Sequence, residues 1–271
     1  MAKKNLNEMS FLDHLEELRW LLVRSTIAII LMATIAFFLS DYVFDTIIFG
    51  PTHPDFITYR FFCELSHYVG FKDSICVESF SFIIQNTSME GQVNILVWIC
   101  ITAGFILAFP YILYLLWRFI SPALYEKERK NAKLFIFVAS VLFFLGVLFG
   151  YFVVIPMSVN FFATFKVSEV VKNQFSLDSY IGLIKTSVIA SGLFFEMPII
   201  IYFLTKLGLV TPQFLRKYWK YAVVIILIVA AIVTPPDVVS QLIVAIPMLL
   251  IYEASILISV LVHKKQIKAN G

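Results

Sequence analysis

Charged residues are scarce in this chain of 271 residues, where they occupy only 14% of positions. Soluble globular proteins average about a quarter charged residues. Hydrophobic residues make up 60% of the chain, and its mean hydropathy is +0.89. The composition therefore excludes a soluble domain and indicates an integral membrane protein.

The sequence also lacks the usual marks of enzymes and nucleic-acid-binding proteins. It has no glycine-rich phosphate-binding loop, and its four histidines are scattered along the chain. The net charge of +3 is too small for a basic nucleic-acid-binding surface. Three cysteines without close spacing do not predict a metal site. We therefore expect no enzyme activity, no metal or other cofactor, and no nucleic-acid partner.

What the chain does have is long apolar runs, which are continuous rather than alternating and so indicate membrane helices. The sequence predicts an all-α integral membrane protein with six transmembrane helices in one polytopic domain over residues 1–271. The fifth span covers only about 20 Å, against about 30 Å of hydrocarbon, so it requires protein packing or a thinner bilayer. The predicted spans are 20–39, 93–117, 134–155, 181–207, 221–233 and 242–262, with an outer cap loop over 41–92.

The basic residues predict the orientation of these spans. Lysines and arginines concentrate before span one, between spans two and three, between spans four and five, and after span six. With six spans all these segments fall on one side, and the positive-inside rule places both termini in the cytoplasm. The loop over 41–92 carries seven acidic residues, which is consistent with the outer side.

Glu196 is a carboxylate inside the predicted fourth span. Insertion scales give such a residue a cost of about 2.5 kcal/mol or more, so it is usually kept for a function. Taken alone, it suits a proton carrier in a small proton-coupled secondary transporter. Such transporters often show internal repeats with paired broken helices, and no repeat is visible here.

A predicted cytoplasmic segment before span one carries several charges. Residues 10–20 form the pattern of a short amphipathic helix, on which Asp13 and Glu17 share a face. Like charges at that spacing favour a cation between them. The simpler interpretation is a solvated helix at the membrane interface, in which Glu16 pairs with Arg19.

The predicted loop between spans two and three carries Glu126 and Glu128 among basic residues. Local salt bridges and an acidic site for a cationic ligand both explain this pattern, and the spacing does not separate them.

Two outer features allow further hypotheses. The Pro235–Pro236 pair predicts a rigid turn before span six, where Asp237 either caps the next helix or contacts a partner helix. Cys63 and Cys76 both lie in the outer loop, where an oxidising exterior permits a disulfide, although one spacing of two cysteines does not establish it.

Four segments in this order and on these sides of the membrane resemble TatC, the multi-spanning subunit of the twin-arginine protein translocase. The resemblance covers nearly the whole chain from Ser10 to His263. The segments are Phe11–Arg19, Phe119–Arg129, Phe195–Pro198 and Thr234–Asp237.

The resemblance implies six helices in a cupped, concave arrangement within the bacterial cytoplasmic (inner) membrane. It also implies a receptor that binds paired-arginine signal peptides and moves folded proteins with the proton-motive force. Its partners would be TatA- and TatB-type single-span membrane proteins, the lipid bilayer, and further copies of itself within a complex. An assembly subunit without a recognition site remains an alternative, as does the proton-coupled transporter.

The family's functional positions carry over onto named residues of this chain. For signal-peptide binding they are Glu17, Glu128, Arg19 and Phe119. Glu196 and Gln241 match the intramembrane polar site or partner contact, and Pro51 and Asp237 match structural or outer-side positions. Tyr151 also matches, although interfacial anchoring explains it equally well. The outer loop over 55–90 is longer than the family pattern, so no residue of that insertion is carried over.

Overall fold

The structure is a computed structural model that describes residues 11–69, 76, 80, 82–121, 132–168, 170 and 173–270. Helices dominate these residues, as lipid requires, because a helix satisfies its backbone hydrogen bonds within its own segment. The first half contains α1 (Phe11–Phe38), α2 (Ser40–Tyr42), a π-helical turn (Val43–Ile48), a 3-10 turn (Gly50–Thr52), α3 (Ile57–Val69), β1 (Ile83–Gln85) and α4 (Gly91–Ile120). The second half contains α5 (Ala132–Phe149), a π-helical turn (Gly150–Val154), α6 (Ile155–Thr164), β2 (Gln174–Ser176), α7 (Leu177–Phe195), α8 (Met197–Lys206), α9 (Pro212–Lys217), α10 (Trp219–Val233) and α11 (Val238–Asn270).

Each predicted span corresponds to helix, which confirms the all-α membrane class. Five helical stretches in the described residues are long and apolar enough to cross a bilayer. The predicted fifth span corresponds to α10, which has 15 residues and is about 22 Å long, so this span is short as predicted. The five long stretches are His14–Phe38, Gly91–Ile120, Lys133–Thr164, Leu177–Lys206 and Val238–Gln266.

The described helices and strands fall into two compact units. The first comprises Met1–Val43 and Gln92–Leu142, and the second comprises Phe44–Gly91 and Phe143–Gly271. The first unit therefore holds α1, α2, nearly all of α4 and the first part of α5. The second holds α3, both strands and all helices from the end of α5 onward.

In the first unit α1 and α4 approach each other closely at Gly104. A Cβ atom at Gly104 would lie 2.6 Å from the Ile29 carbonyl oxygen and 2.7 Å from the Ala33 nitrogen. Small residues allow this backbone approach, which is the usual source of helix association in lipid. Most of α1 nevertheless lies on the protein surface, since only 11% of its most apolar 18-residue stretch is buried.

The second unit has a continuous apolar core formed largely by α8, α10 and α11. Ile226, Ala230, Val244, Met248 and Ile256 are each at most 1% exposed within it. The hydroxyls of Thr205 in α8 and Ser259 in α11 also share a buried hydrogen bond of 2.9 Å. Polar side chains that meet between helices satisfy each other in this way when water is excluded.

A short parallel sheet lies among the outer segments of the second unit. β1 pairs with β2 in the register Ile83 to Gln174, Ile84 to Phe175 and Gln85 to Ser176. The Gln85 Nε2 atom donates to Gln174 Oε1 at 2.8 Å, which extends the backbone pairing. The predicted cap thus contains a helix, α3, together with this sheet, which the sequence did not predict.

Candidate functional site

The amino end of α1 presents exposed charged side chains. It is continuous with the span that follows, so the predicted interfacial helix and span one are a single helix. Arg19 pairs with Glu16 one turn away, with 3.6 Å between Nη2 and Oε1. Glu17 is exposed and makes no ion pair with any residue that the structure describes.

Phe119, near the carboxyl end of α4, lies beside this part of α1. The His14 ring stacks on the Phe119 ring with centroids 4.3 Å apart and planes 22° apart. Because Phe119 is the penultimate residue of α4, this stack joins the carboxyl end of α4 to the amino end of α1. Glu17 follows His14 by three residues, or about one helical turn. The predicted residue Glu128 lies outside the described residues.

Three leucines near the start of α1 do not pack inside the protein. Leu15, Leu18 and Leu22 are 45%, 38% and 57% exposed. An apolar stripe of this kind, continuous with a lipid-spanning helix, suits lipid or a bound apolar segment. The carboxylate of Glu17 is therefore flanked by apolar surface on its own helix.

Glu196 lies in the second unit at the break between α7 and α8. It is the last residue before α8, and Pro198 occupies the first turn of that helix. Pro198 has no backbone N–H and so interrupts the hydrogen-bond ladder, which explains the break. Glu196 is only 6% exposed, and its Oε1 atom has no hydrogen-bond partner among the described residues. Such an unpartnered buried polar atom is costly and calls for an explanation.

Asp237 and Gln241 lie one turn apart at the start of α11. Asp237 Oδ2 accepts a hydrogen bond of 2.7 Å from the Ser240 backbone N–H, so Asp237 caps the helix. That same bond lowers the pKa of Asp237 from its usual value. Gln241 Nε2 donates to the Leu227 carbonyl oxygen of α10 at 3.0 Å. Both side chains are half-buried, and the Gln241 bond links α11 to α10.

Pro51 is buried in a corner that follows the first π-helical turn. Its carbonyl oxygen accepts a hydrogen bond of 2.8 Å from the Tyr59 hydroxyl. Burial raises the pKa of Tyr59, so this hydroxyl stays protonated and remains a donor.

Two more tyrosines hold the same corner from other elements. The Tyr151 hydroxyl donates to the Ile47 carbonyl at 2.8 Å, and the Tyr180 hydroxyl donates to the Ile48 carbonyl at 2.6 Å. The Tyr180 bond is buried, where a backbone carbonyl needs a partner, whereas the Tyr151 bond is exposed. For Tyr151 the sequence offered only a family match or interfacial anchoring, and this hydrogen bond gives it a specific structural role.

Cys63 and Cys76 are joined by a disulfide, with their Cα atoms 4.7 Å apart. The Nε2 atom of His67 lies 3.8 Å from the Cys76 sulfur. Sequence reasoning missed His67, because only the fold brings Cys76 to the face of α3 that carries Cys63 and His67. The i,i+4 spacing of Cys63 and His67 is the one signal in the sequence.

These helices and polar groups define a multi-spanning helical membrane protein. A family model for the Sec-independent protein translocase protein (TatC) matches residues 13–247. A crystal structure of the twin arginine translocase receptor TatC superimposes with a TM-score of 0.70 at 36% identity, covering 92% of this chain and 99% of that one.

Two related proteins are similar to this chain over nearly its full length. The TatC protein of Blattabacterium sp. subsp. Periplaneta americana is 45% identical over 97% of this chain and 100% of its own. The TatC protein of Aquifex aeolicus is 35% identical over 95% of this chain and 98% of its own. The chain belongs to the TatC family, and it is a transport protein, a multi-pass membrane subunit of the Sec-independent translocase.

Proposed function

We propose that this chain is the receptor subunit that binds paired-arginine signal peptides and moves folded proteins across the cytoplasmic membrane with the proton-motive force. The observation that carries this proposal is the stack of His14 on Phe119. It brings an aromatic ring to the same end of the first unit as the exposed carboxylate of Glu17. A related crystal structure is described as the twin arginine translocase receptor, which supports this assignment.

Glu17 has the chemistry needed to hold one of the two arginines. A guanidinium group is planar, always charged, and able to donate two parallel hydrogen bonds to one carboxylate. Glu16 is the neighbouring carboxylate, but it is already paired with Arg19. Because Glu16 has this partner and Glu17 makes no ion pair with any described residue, Glu17 is the proposed acceptor on this part of α1.

Glu128 is the proposed acceptor for the second arginine, in the sequence that follows α4. Phe119 lies near the end of α4, and its ring offers a face on which a guanidinium group can stack. The exposed apolar stripe of Leu15, Leu18 and Leu22 suits the hydrophobic part that follows the arginines in a signal peptide. A lysine pair in the signal would supply charge but not the bidentate bond.

The proposed orientation places both termini in the cytoplasm, because the basic segments then all lie on that side. The proposed partners are TatA- and TatB-type single-span proteins and further copies of this chain. Glu196 is the proposed contact for a partner or for a deeply inserted signal peptide, since its buried Oε1 lacks a hydrogen bond among the described residues. Gln241 and Asp237 mark a second proposed contact at the start of α11.

The test of this function is complementation of a bacterial strain that lacks its own translocase core, with cognate TatA-type proteins supplied. We expect export of a folded reporter that carries a twin-arginine signal, and no export of the same reporter with a twin-lysine signal. Dissipating the proton-motive force should stop export while leaving the crosslink between signal and receptor. Equal export of the arginine and lysine reporters would contradict the receptor assignment.

A further inference from the structure

The outer segment around α3 holds three side chains whose donor atoms converge on one point. Cys63 and His67 lie four residues apart on α3 and so share one face of that helix. Cys76 is brought to the same face from beyond the end of α3. The two sulfur atoms and a ring nitrogen of His67 all lie within 4.8 Å of one another.

We propose that these three residues form a zinc-binding site in the reduced protein, which the Cys63–Cys76 disulfide closes in the oxidised protein. Two thiolates and one imidazole are a common donor set for Zn²⁺, which takes four ligands in a tetrahedral arrangement. Water would complete the coordination. The zinc-binding residues belong to the second unit, whereas the proposed signal-peptide site belongs to the first.

The present geometry is already close to that of such a site. With Zn–S bonds of about 2.3 Å and Zn–N bonds of about 2.05 Å, tetrahedral angles place sulfur and nitrogen ligands about 3.6 Å apart. The observed distance between Cys76 Sγ and His67 Nε2 is 3.8 Å. Once the disulfide is broken, rotation of the cysteine side chains brings the sulfurs to the separation of about 3.8 Å that zinc requires.

The site is also accessible. His67 is exposed, and Cys63 and Cys76 are half-buried. A reductant and a metal ion can therefore reach it from the aqueous side without opening the membrane core. Cys100, by contrast, is buried within α4 and is not part of this site.

The chemistry balances in two steps. A dithiol reductant supplies two electrons and two protons to the Cys63–Cys76 bond, leaves two thiols, and becomes a disulfide itself. Zn²⁺ then binds both sulfurs as thiolates and the neutral His67 imidazole, and the two thiol protons pass to solvent. Reoxidation by a small-molecule disulfide, which takes the two electrons from the thiolates and two protons from solvent and becomes a dithiol, would restore the Cys63–Cys76 bond and release the metal.

The experiment uses the full chain in detergent with Cys100→Ser, so that all thiols come from Cys63 and Cys76. After dithiol reduction and removal of the reductant, two thiols per chain are counted and Co²⁺ is titrated as a spectroscopic probe. We expect one Co²⁺ per chain with a thiolate-to-cobalt charge-transfer band, which added Zn²⁺ abolishes. The oxidised protein should show no such band. Reduced protein with two counted thiols and no band would overturn the proposal.

His67→Ala tests the third ligand, with His53→Ala as the matched control, since His53 is another exposed outer histidine. We expect the Co²⁺ affinity to fall at least about tenfold in His67→Ala and to stay unchanged in His53→Ala. Equal affinities in the two variants would remove His67 from the site.

A second measurement needs no substitution at His67. In the reduced protein, Zn²⁺ should protect His67 from carbethoxylation by diethylpyrocarbonate and leave His53 reactive, as read by peptide mass spectrometry. Equal modification of His67 with and without Zn²⁺ would again exclude it as a ligand. Neither measurement depends on signal-peptide binding or export, so the result stands apart from the proposed function.

Discussion

The imidazole of His14 stacks on the ring of Phe119, with 4.3 Å between the ring centroids. This contact spans more than a hundred residues of sequence and joins the two helix ends at which the proposed receptor site lies. It is worth about 0.5–1.5 kcal/mol beyond its buried area if it behaves as other ring pairs do. Together with the close approach of the two helices at Gly104, it positions Glu17 relative to α4.

Replacing Glu17 by Gln should weaken binding of a twin-arginine signal peptide. Loss of a charge-assisted bond at an exposed site corresponds to about 1–2 kcal/mol, or about a five- to thirtyfold loss of affinity. Site-specific crosslinking of a signal peptide to the inserted protein measures this effect. Glu16→Gln is the matched control and should change crosslinking little, because Glu16 already pairs with Arg19. Equal effects of the two substitutions would remove Glu17 from the site.

Replacing Phe119 by Ala should remove the stacking partner of His14 and the ring face offered to a guanidinium group. We expect reduced crosslinking of the signal peptide, with the protein still inserted in the membrane. Phe119→Trp keeps an aromatic face and should retain most of the crosslinking. If both variants crosslink like the parent, the aromatic ring has no part in recognition.

Replacing Glu196 by Leu should separate recognition from transport. Glu196 is not one of the residues proposed to hold the paired arginines, so crosslinking of the arginine-bearing part of the signal peptide should stay within about twofold, an effect of no more than about 0.4 kcal/mol. Export and copurification of TatA- or TatB-type proteins should fall, since the variant loses the buried carboxylate. Glu196→Gln keeps a hydrogen-bonding group, so its export and copurification should lie between those of Glu196→Leu and the parent. Loss of inserted protein in both variants would show that the residue is structural instead.

Replacing Asp237 by Ala should destabilise the start of α11 by about 1 kcal/mol, whereas Asp237→Asn should be nearly neutral because Asn caps helices equally well. Thermal unfolding in detergent at neutral pH measures both. Since the cap lowers the pKa of Asp237 in the folded protein, its stabilisation is present above the pKa of the unfolded carboxyl and is lost as pH falls through the folded value. The difference between parent and Ala variant should therefore narrow below about pH 4. A difference that is constant down to pH 2 would argue against the charged cap.

Replacing Cys63 and Cys76 by Ser should lower stability by about 2–4 kcal/mol, because the disulfide closes a loop with a sequence separation of 13. Non-reducing peptide mass spectrometry of the parent should recover the Cys63–Cys76 linkage. Two alkylated free thiols in protein isolated without reductant would contradict it. Cys100→Ser alone is the control and should leave the linkage intact.

The membrane helices were predictable from the sequence because their signal is local. A run of apolar residues is long enough to span lipid whatever surrounds it, and even the short fifth span was evident as α10. The Asp237 cap was also open to prediction from local sequence. An Asp directly before a helix commonly accepts a hydrogen bond from one of the free backbone N–H groups of the first turn.

The contacts that join distant segments were not predictable. The strands β1 and β2 have three residues each, which is too short for a pattern of alternation. The pairing of His14 with Phe119 and the approach of His67 to Cys76 arise only from folding. Glu17 and Phe119 were selected as site residues by resemblance to the family, and the contact that brings them to one end of the first unit was seen only in the structure.

Two tyrosine hydroxyls bond the carbonyl oxygens of Ile47 and Ile48, and these bonds affect how the loop between α1 and α4 can change length. Tyr151 and Tyr180 fix the chain just before Pro51 from elements more than a hundred residues away. Residues inserted after that point lie beyond the anchored segment and leave its hydrogen bonds in place. The part of this loop that follows Tyr59, with its disulfide, can therefore vary in length without changing where the preceding chain is held.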